Sequence, residues 1–118
     1  MQDLSDTPSG RELNTRKPYL RLISEGTKTV DVRVGSPGVR TIAAGQDLTF
    51  VAGTQSVRTR VKRVSEYASF EAMLDREESH AIGGSLCSSR GQLLAVIRSI
   101  FPADQERLGV LAIEIERI

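Results

Sequence analysis

Between Thr29 and Val34 the chain alternates. Val30, Val32 and Val34 fall on one side, and Thr29, Asp31 and Arg33 on the other. A period of two predicts a half-buried strand whose polar side faces water. Gly26 can take a positive φ and ends the helix before it. That helix starts near Pro18, a residue suited to a first turn, and covers one side with Tyr19, Leu20, Leu22 and Ile23. Beyond the strand, Ser36-Pro37-Gly38 predicts a turn and residues 39–42 a short strand. A second turn at Ala44-Gly45-Gln46-Asp47 leads into a strand over 48–51, with Leu48 and Phe50 on one face. Gly53-Thr54-Gln55 reads as a hairpin connection to a long strand over 56–64. In that strand Val57, Thr59 and Val61 oppose Arg58, Arg60 and Lys62, and the parity then breaks, which predicts a bulge near Lys62.

The pattern then turns helical. Ser69 can cap a helix carrying Phe70, Met73 and Leu74 at i, i+3 and i+4. Residues 80–88 read as a linker containing Gly83-Gly84, Ser85 and Cys87. Ser89-x-x-Gln92 has capping-box spacing and opens a second helix, with a wide apolar stripe from Leu93 to Phe101 that Pro102 closes. After a single turn at 104–108, residues 110–118 form a last strand, in which Leu111, Ile113 and Ile115 oppose Glu114 and Glu116. The strands are too many for a helical bundle, and the helices do not alternate singly with strands as a doubly wound sheet requires. The order predicts an α+β fold, a small mixed β-barrel or curled sheet with helices packed across its opening.

Length, 118 residues, allows one domain with one modest core. Residues 1–15 are polar, offer only Leu4 and Leu13 for burial, and read as a disordered tail, so order is expected over 16–118. Lys+Arg is 16 and Asp+Glu is 15, so bulk charge does not announce a nucleic-acid binder. No apolar run approaches the ~18–20 residues of a membrane span, and no signal-peptide pattern opens the chain. No membrane partner is expected. Cys87 is the only cysteine and His80 the only histidine. That excludes an intramolecular disulfide, fits a reducing cytoplasm, and argues against a protein-held transition metal. No metal and no cofactor is expected.

Candidate chemistry gathers at the first strand. Lys28 sits where the turn becomes the strand, ahead of the core-facing valines, and is expected to contribute little to packing. Asp31 and Arg33 leave one face together, roughly 6–7 Å apart along the strand. Without further context they read as a surface ion pair worth ~0–1 kcal/mol. The Arg58, Arg60, Lys62 and Arg63 stripe carries no acid of its own and reads first as a solvated strand face that blunts edge pairing. Phosphate binding is the weaker alternative. Ser85, His80 and Asp75 lack a nucleophile-elbow motif and read as loop residues. Cys87 reads as a small thiol packed under a loop. Gly83-Gly84 lacks the Gly-Lys-[Ser/Thr] of a phosphate loop, leaving a hinge as its alternative use. Tyr19 and Tyr67 suit base stacking or rim packing.

The segment Gly26-Thr27-Lys28-Thr29-Val30-Asp31-Val32-Arg33 resembles the Gly-x-Lys-x-x-acid-x-Arg motif of the ASCH domain family, a branch of the PUA-like superfold. Residues 45–50 (GQDLTF), 61–70 and 97–118 resemble its later segments, so the resemblance covers roughly residues 17–118. It implies a PUA-like barrel with a cleft beside the motif that binds RNA or a modified nucleotide or nucleoside. Lys28, Asp31 and Arg33 would be its ligand-binding residues, with Tyr19 added as a stacking residue. Some small bacterial relatives are amidohydrolases of N4-acetylcytidine. Their motif Lys corresponds to Lys28, and their Thr nucleophile corresponds to Asp31. A carboxylate attacks an unactivated amide poorly. Glu77 and Glu78 are candidates for the third catalytic group. Three functions therefore stand. One is a binding module for RNA or a nucleoside. The second is a small hydrolase of N4-acetylcytidine or of an RNA phosphodiester, with Lys28 and Asp31 catalytic. The third is a protein-interaction domain that uses the acidic helix at 70–78.

Overall fold

The structure, a computed structural model, describes residues 11–87 and 89–118. Among these residues five strands form one sheet: β1 (Arg11–Asn14), β2 (Val30–Val34), β3 (Asp47–Ala52), β4 (Gln55–Tyr67) and β5 (Val110–Arg117). Among the described residues four α-helices accompany it: α1 (Lys17–Glu25), α2 (Phe70–Leu74), α3 (Ser79–Gly83) and α4 (Arg90–Ile100). The strand order is β1-β3-β4-β5-β2, with β1 parallel to β3 and the other neighbours antiparallel. The two edges, β1 and β2, approach each other, and Arg33 Nη2 donates to the Asn14 carbonyl at 2.8 Å across the gap. The result is a mixed α+β half-barrel with helices packed over it.

Local signals explain most element ends. Gly26 ends α1 at φ 84°, a conformation a Cβ would strain, and its N–H bonds the Ile23 carbonyl. The hydroxyls of Ser69 and Ser89 accept from the amides of Ala72 and Gln92, capping α2 and α4. The β4 register shifts between Val61 and Arg63, the expected bulge.

The sheet is covered on both faces. Val30, Val32 and Val34 pack with Phe70, Met73 and Leu93 from α2 and α4. On the opposite face, Leu48, Phe50, Val61 and Ile113 pack with Leu20 and Ile23 of α1. This overturns the half-buried reading of β2. Asp31 is opposite Ile113 in the register and is 4 % exposed, so the polar side of the strand turns into the barrel, not to water.

Three further expectations change. Residues 11–14, assigned to the tail, pair with residues 48–51 as β1, and Leu13 packs against the core of the inner face. A single partly buried leucine and a free sheet edge suffice to order four residues that composition marks as polar. Residues 1–10 lie outside the described residues. Residues 39–42 hold a 3₁₀ turn, Val39–Thr41, because Arg40 ties it sideways. The Arg40 guanidinium bonds both Glu66 oxygens and the carbonyls of Gly35 and Leu108. The linker at 80–88 contains α3 and a 3₁₀ turn at Gly84–Leu86, with Ser88 outside the described residues. Gly84 there is at φ +57°, and a Cβ would stand 2.9 Å from Leu22 Cδ1, so this glycine serves close packing.

Deleting residues 1–14 should therefore lower the melting temperature. Losing the Leu13 burial and the β1 ladder removes ~1–2 kcal/mol, equivalent to roughly 5–10 °C in a domain of this size. A circular dichroism melt of the two lengths measures it, and an unchanged midpoint would mean β1 contributes nothing.

The basic stripe on β4 is partly offset by carboxylates of neighbouring strands. Arg58 and Arg60 lie 3.7 and 3.5 Å from Asp47 of β3, and Lys62 lies 3.9 Å from Glu114 of β5. Arg63, turned by the bulge, forks onto Glu77, whose second donor is the Tyr67 hydroxyl, and also reaches Glu114. The Arg63 bonds hold the Glu77 carboxyl below its usual value, against the opposing effect of burial, and the Tyr67 hydroxyl adds to them. The folded state thus binds that proton less tightly than the unfolded chain. The stabilisation is complete above the ordinary carboxylate range and is lost as the pH falls through the lowered value. Glu77→Gln should reduce stability at neutral pH and flatten its acid dependence, as read from urea midpoints at neutral and acid pH. An acid profile unchanged by the substitution would contradict this assignment.

Candidate functional site

The gap between β1 and β2 is the mouth of a cleft of about 330 Å³. Its rim comes from Asn14, Thr15 and Arg16 of the β1–α1 connection and from Tyr19 of α1. Lys28, Asp31 and Arg33 supply its charged side. Ile82 of α3, with Leu93, Val96, Ile97, Ile100 and Phe101 of α4 and its end, form an apolar wall. All four residues singled out in the sequence, Tyr19, Lys28, Asp31 and Arg33, therefore meet at one cavity.

Lys28 is 6 % exposed, contrary to the expectation of a side chain marginal to packing. Its Nζ donates to the carbonyls of Val30 at 2.8 Å and Ile82 at 2.6 Å, so it clamps α3 onto the start of β2. The Tyr19 ring centroid is 5.5 Å from the same Nζ, within cation–π range. An ammonium has three donors; among the described residues two of them are engaged. Burial pushes the Lys28 pKa down, Asp31 pulls it back up, and Arg33 lowers it further. Burial, and next the neighbouring Cys87 thiol, push the Tyr19 phenol above its ordinary value, so it remains neutral.

Asp31 Oδ2 accepts from Arg33 Nε at 2.6 Å. With the Asp31 side chain 6 % exposed and that of Arg33 19 %, this is a largely desolvated pair and not the surface pair first read. The pair fixes Arg33 across the mouth, where it also holds Asn14. The charged groups on the cleft are three cations and one carboxylate, which favours an electron-rich or anionic ligand at the rim.

The remaining sequence candidates lie elsewhere. Asp75 is exposed and paired with Arg90 at 2.7 Å, and none of Asp75, His80 and Ser85 lines the cleft. Glu77 is bound to Arg63 and Tyr67, and it is not among the residues that line the cleft. Arg16, Asn14 and Ile82 also line the cleft, although no motif in the sequence marks them. Arg16 and Asn14 fall in the supposed tail or at its border, and Ile82 in the supposed linker.

A family model for the ASCH domain matches residues 13–118. Among solved structures, the crystal structure of hypothetical protein PH0355 is 30% identical, with 91% of this chain and 97% of that chain covered and a TM-score of 0.82. The solution structure of protein PF0455 from Pyrococcus furiosus is 28% identical, with 92% and 96% covered and a TM-score of 0.74. The crystal structure of a mutant of ZmASCH from Zymomonas mobilis shares the fold at 16% identity, with 93% and 70% covered and a TM-score of 0.64. A search of curated proteins returns no match. The half-barrel is the PUA-like α+β fold expected from the motif, and the chain belongs to the ASCH domain family.

Proposed function

We propose that the chain is a binding module whose cleft takes one base or nucleoside, free or as part of a single-stranded RNA. The observation that carries this reading is the buried Lys28 ammonium, held by two carbonyls beneath Tyr19 and facing the apolar wall from α3 and α4 across the cavity. About 330 Å³ is at the small end of ligand sites and suits a single planar heterocycle. Tyr19 and the Ile82–Ile97 wall supply flat apolar surface for stacking, and Lys28 supplies a charge-assisted bond to a ring carbonyl. Arg16 and Arg33 at the rim suit a phosphate or ribose outside the cavity.

The hydrolase reading has less support. Asp31 occupies the position of the nucleophilic Thr and is engaged by Arg33, and Glu77 is engaged by Arg63. The protein-interaction reading has less support, since Glu71 and Asp75 are partly offset by Arg98 and Arg90 of α4. Isothermal titration with nucleosides and short single-stranded RNAs at two salt concentrations, followed by product analysis, tests the proposal. Binding without turnover supports it. Affinity for RNA should fall with salt if Arg16 and Arg33 meet phosphate, while that of a neutral nucleoside should not. Absence of binding by every one of these probes would overturn the proposal.

A further inference from the structure

α3 supplies part of the cleft, yet little within α3 holds it in place. It has five residues, and Glu78 at its N-cap makes no side-chain capping bond. A helix this short is unstable on its own, so tertiary contacts must fix its position. Two of those contacts come from the motif strand and the turn before it. The Thr29 amide donates to the Ala81 carbonyl at 2.8 Å, and Lys28 Nζ donates to the Ile82 carbonyl at 2.6 Å. Ile82 itself, 3 % exposed, lines the cleft. The placement of the Lys28 ammonium and of one wall of the cavity therefore depends on where α3 sits.

The two ends of α3 are held by different means. At its C-terminal end, Gly84 takes φ +57° and packs so closely on Leu22 of α1 that a Cβ would not fit. That end is fixed by shape. Just before its first residue, Glu77 turns in towards β4, and its side chain is 7 % exposed. Arg63 Nη1 and Nη2 donate to the two Glu77 oxygens at 2.9 Å each, and Tyr67 Oη donates to Oε2 at 2.5 Å. Arg63 is held in turn, with Nε donating to Glu114 of β5 at 2.8 Å and Nη1 to Ser65 Oγ at 2.5 Å. A forked guanidinium–carboxylate pair fixes geometry as well as supplying energy. Neither Arg63 nor Glu77 lines the cleft. We propose that the Arg63–Glu77 pair is a latch outside the cleft that positions Lys28, by holding α3 and with it the Ile82 carbonyl against the motif. When the latch is released, α3 lifts about Gly84, the Thr29 amide loses the Ala81 carbonyl, and the cleft loses both its Ile82 wall and the binding arrangement of Lys28. Glu77 is a positioning residue for a site it does not touch. The link to a ligand rests on the base-binding reading of the same cleft.

The Thr29 amide reports the docking of α3 directly, and amide hydrogen exchange of the full chain reads it by NMR. The Val61 amide, bonded to the Gln46 carbonyl at 2.8 Å on the central strand, reports global unfolding. Glu77→Gln exchanges a charged acceptor for a neutral one, so Thr29 exchange should quicken about tenfold beyond any change at Val61. Arg63→Lys keeps the charge but loses the fork, and should act in the same direction. The double variant should add little to either single change, because both break one latch. With any of the four ribonucleosides that binds, at ten times its Kd, Thr29 exchange in Glu77→Gln should slow about tenfold, since only the docked state binds. Equal quickening at Thr29 and Val61, or none at Thr29, in both variants would overturn the latch and leave Glu77 a support of overall stability. Thr29 exchange unmoved by a bound nucleoside would overturn the coupling of α3 to the cleft. Selective quickening at Thr29 with no ribonucleoside bound would support the latch and overturn the base-binding reading instead.

Discussion

Asp31→Ala should lower the unfolding free energy by about 3 kcal/mol, the low end of the cost of breaking a buried ion pair. The substitution leaves Arg33 facing the barrel without its 2.6 Å partner, close to the buried Lys28 ammonium. Both cations then lose the carboxylate that offsets their desolvation and mutual repulsion. Asp31→Asn keeps the shape and one acceptor and should cost less than the alanine. Urea titration gives both values. A loss under ~0.5 kcal/mol for the alanine variant would mean that the pair behaves as an exposed one.

Lys28→Met should weaken nucleoside binding roughly 10- to 100-fold, because a charge-assisted hydrogen bond contributes about 1.5–3 kcal/mol. The Val30 and Ile82 carbonyls would lose their shared donor. An unsatisfied buried carbonyl costs about 1–3 kcal/mol, partly offset by no longer burying a charge. A net stability loss of about 1–3 kcal/mol is expected, in contrast to the near-neutral change suggested by the position of Lys28 ahead of the core strand. The pH dependence follows from the lowered Lys28 pKa. The folded state binds this proton less tightly than the unfolded chain. The associated cost is therefore full at neutral pH, and it shrinks as the pH rises from the lowered value to the ordinary 10.5. Ligand affinity should move the opposite way over that window, falling as the ammonium loses its proton. Lys28→Met should lack both trends, as thermal melts and calorimetry across the alkaline range would register.

The second half of the chain was legible wherever a local rule decides structure. Ser69, Ser89, Pro102 and the parity break at Lys62 each act through neighbours within a few residues, and each ends or bends its element as expected. What failed depends on partners far along the chain. The alternation of β2 looks half-buried because a polar side normally faces water. Here α1 and the barrel cover it, and Arg33 neutralises Asp31 in place. Residues 11–14 look like tail because their partner, β3, lies more than thirty residues away. The basic β4 stripe looks unpaired because Asp47 and Glu114 come from other strands. The site shows the same division. Lys28, Asp31 and Arg33 share one motif and were found together. Arg16 and Ile82 reach the cleft only through the closure of the half-barrel and the docking of α3, which no short spacing encodes.

The most direct test of the cleft as the binding site is an amide chemical-shift titration of the full chain with cytidine. Shifts are expected to concentrate at residues 14–19, 28–33 and 93–101 and at Ile82. Shifts concentrated on Arg58, Arg60 and Lys62 of β4, with residues 28–33 unmoved, would contradict it.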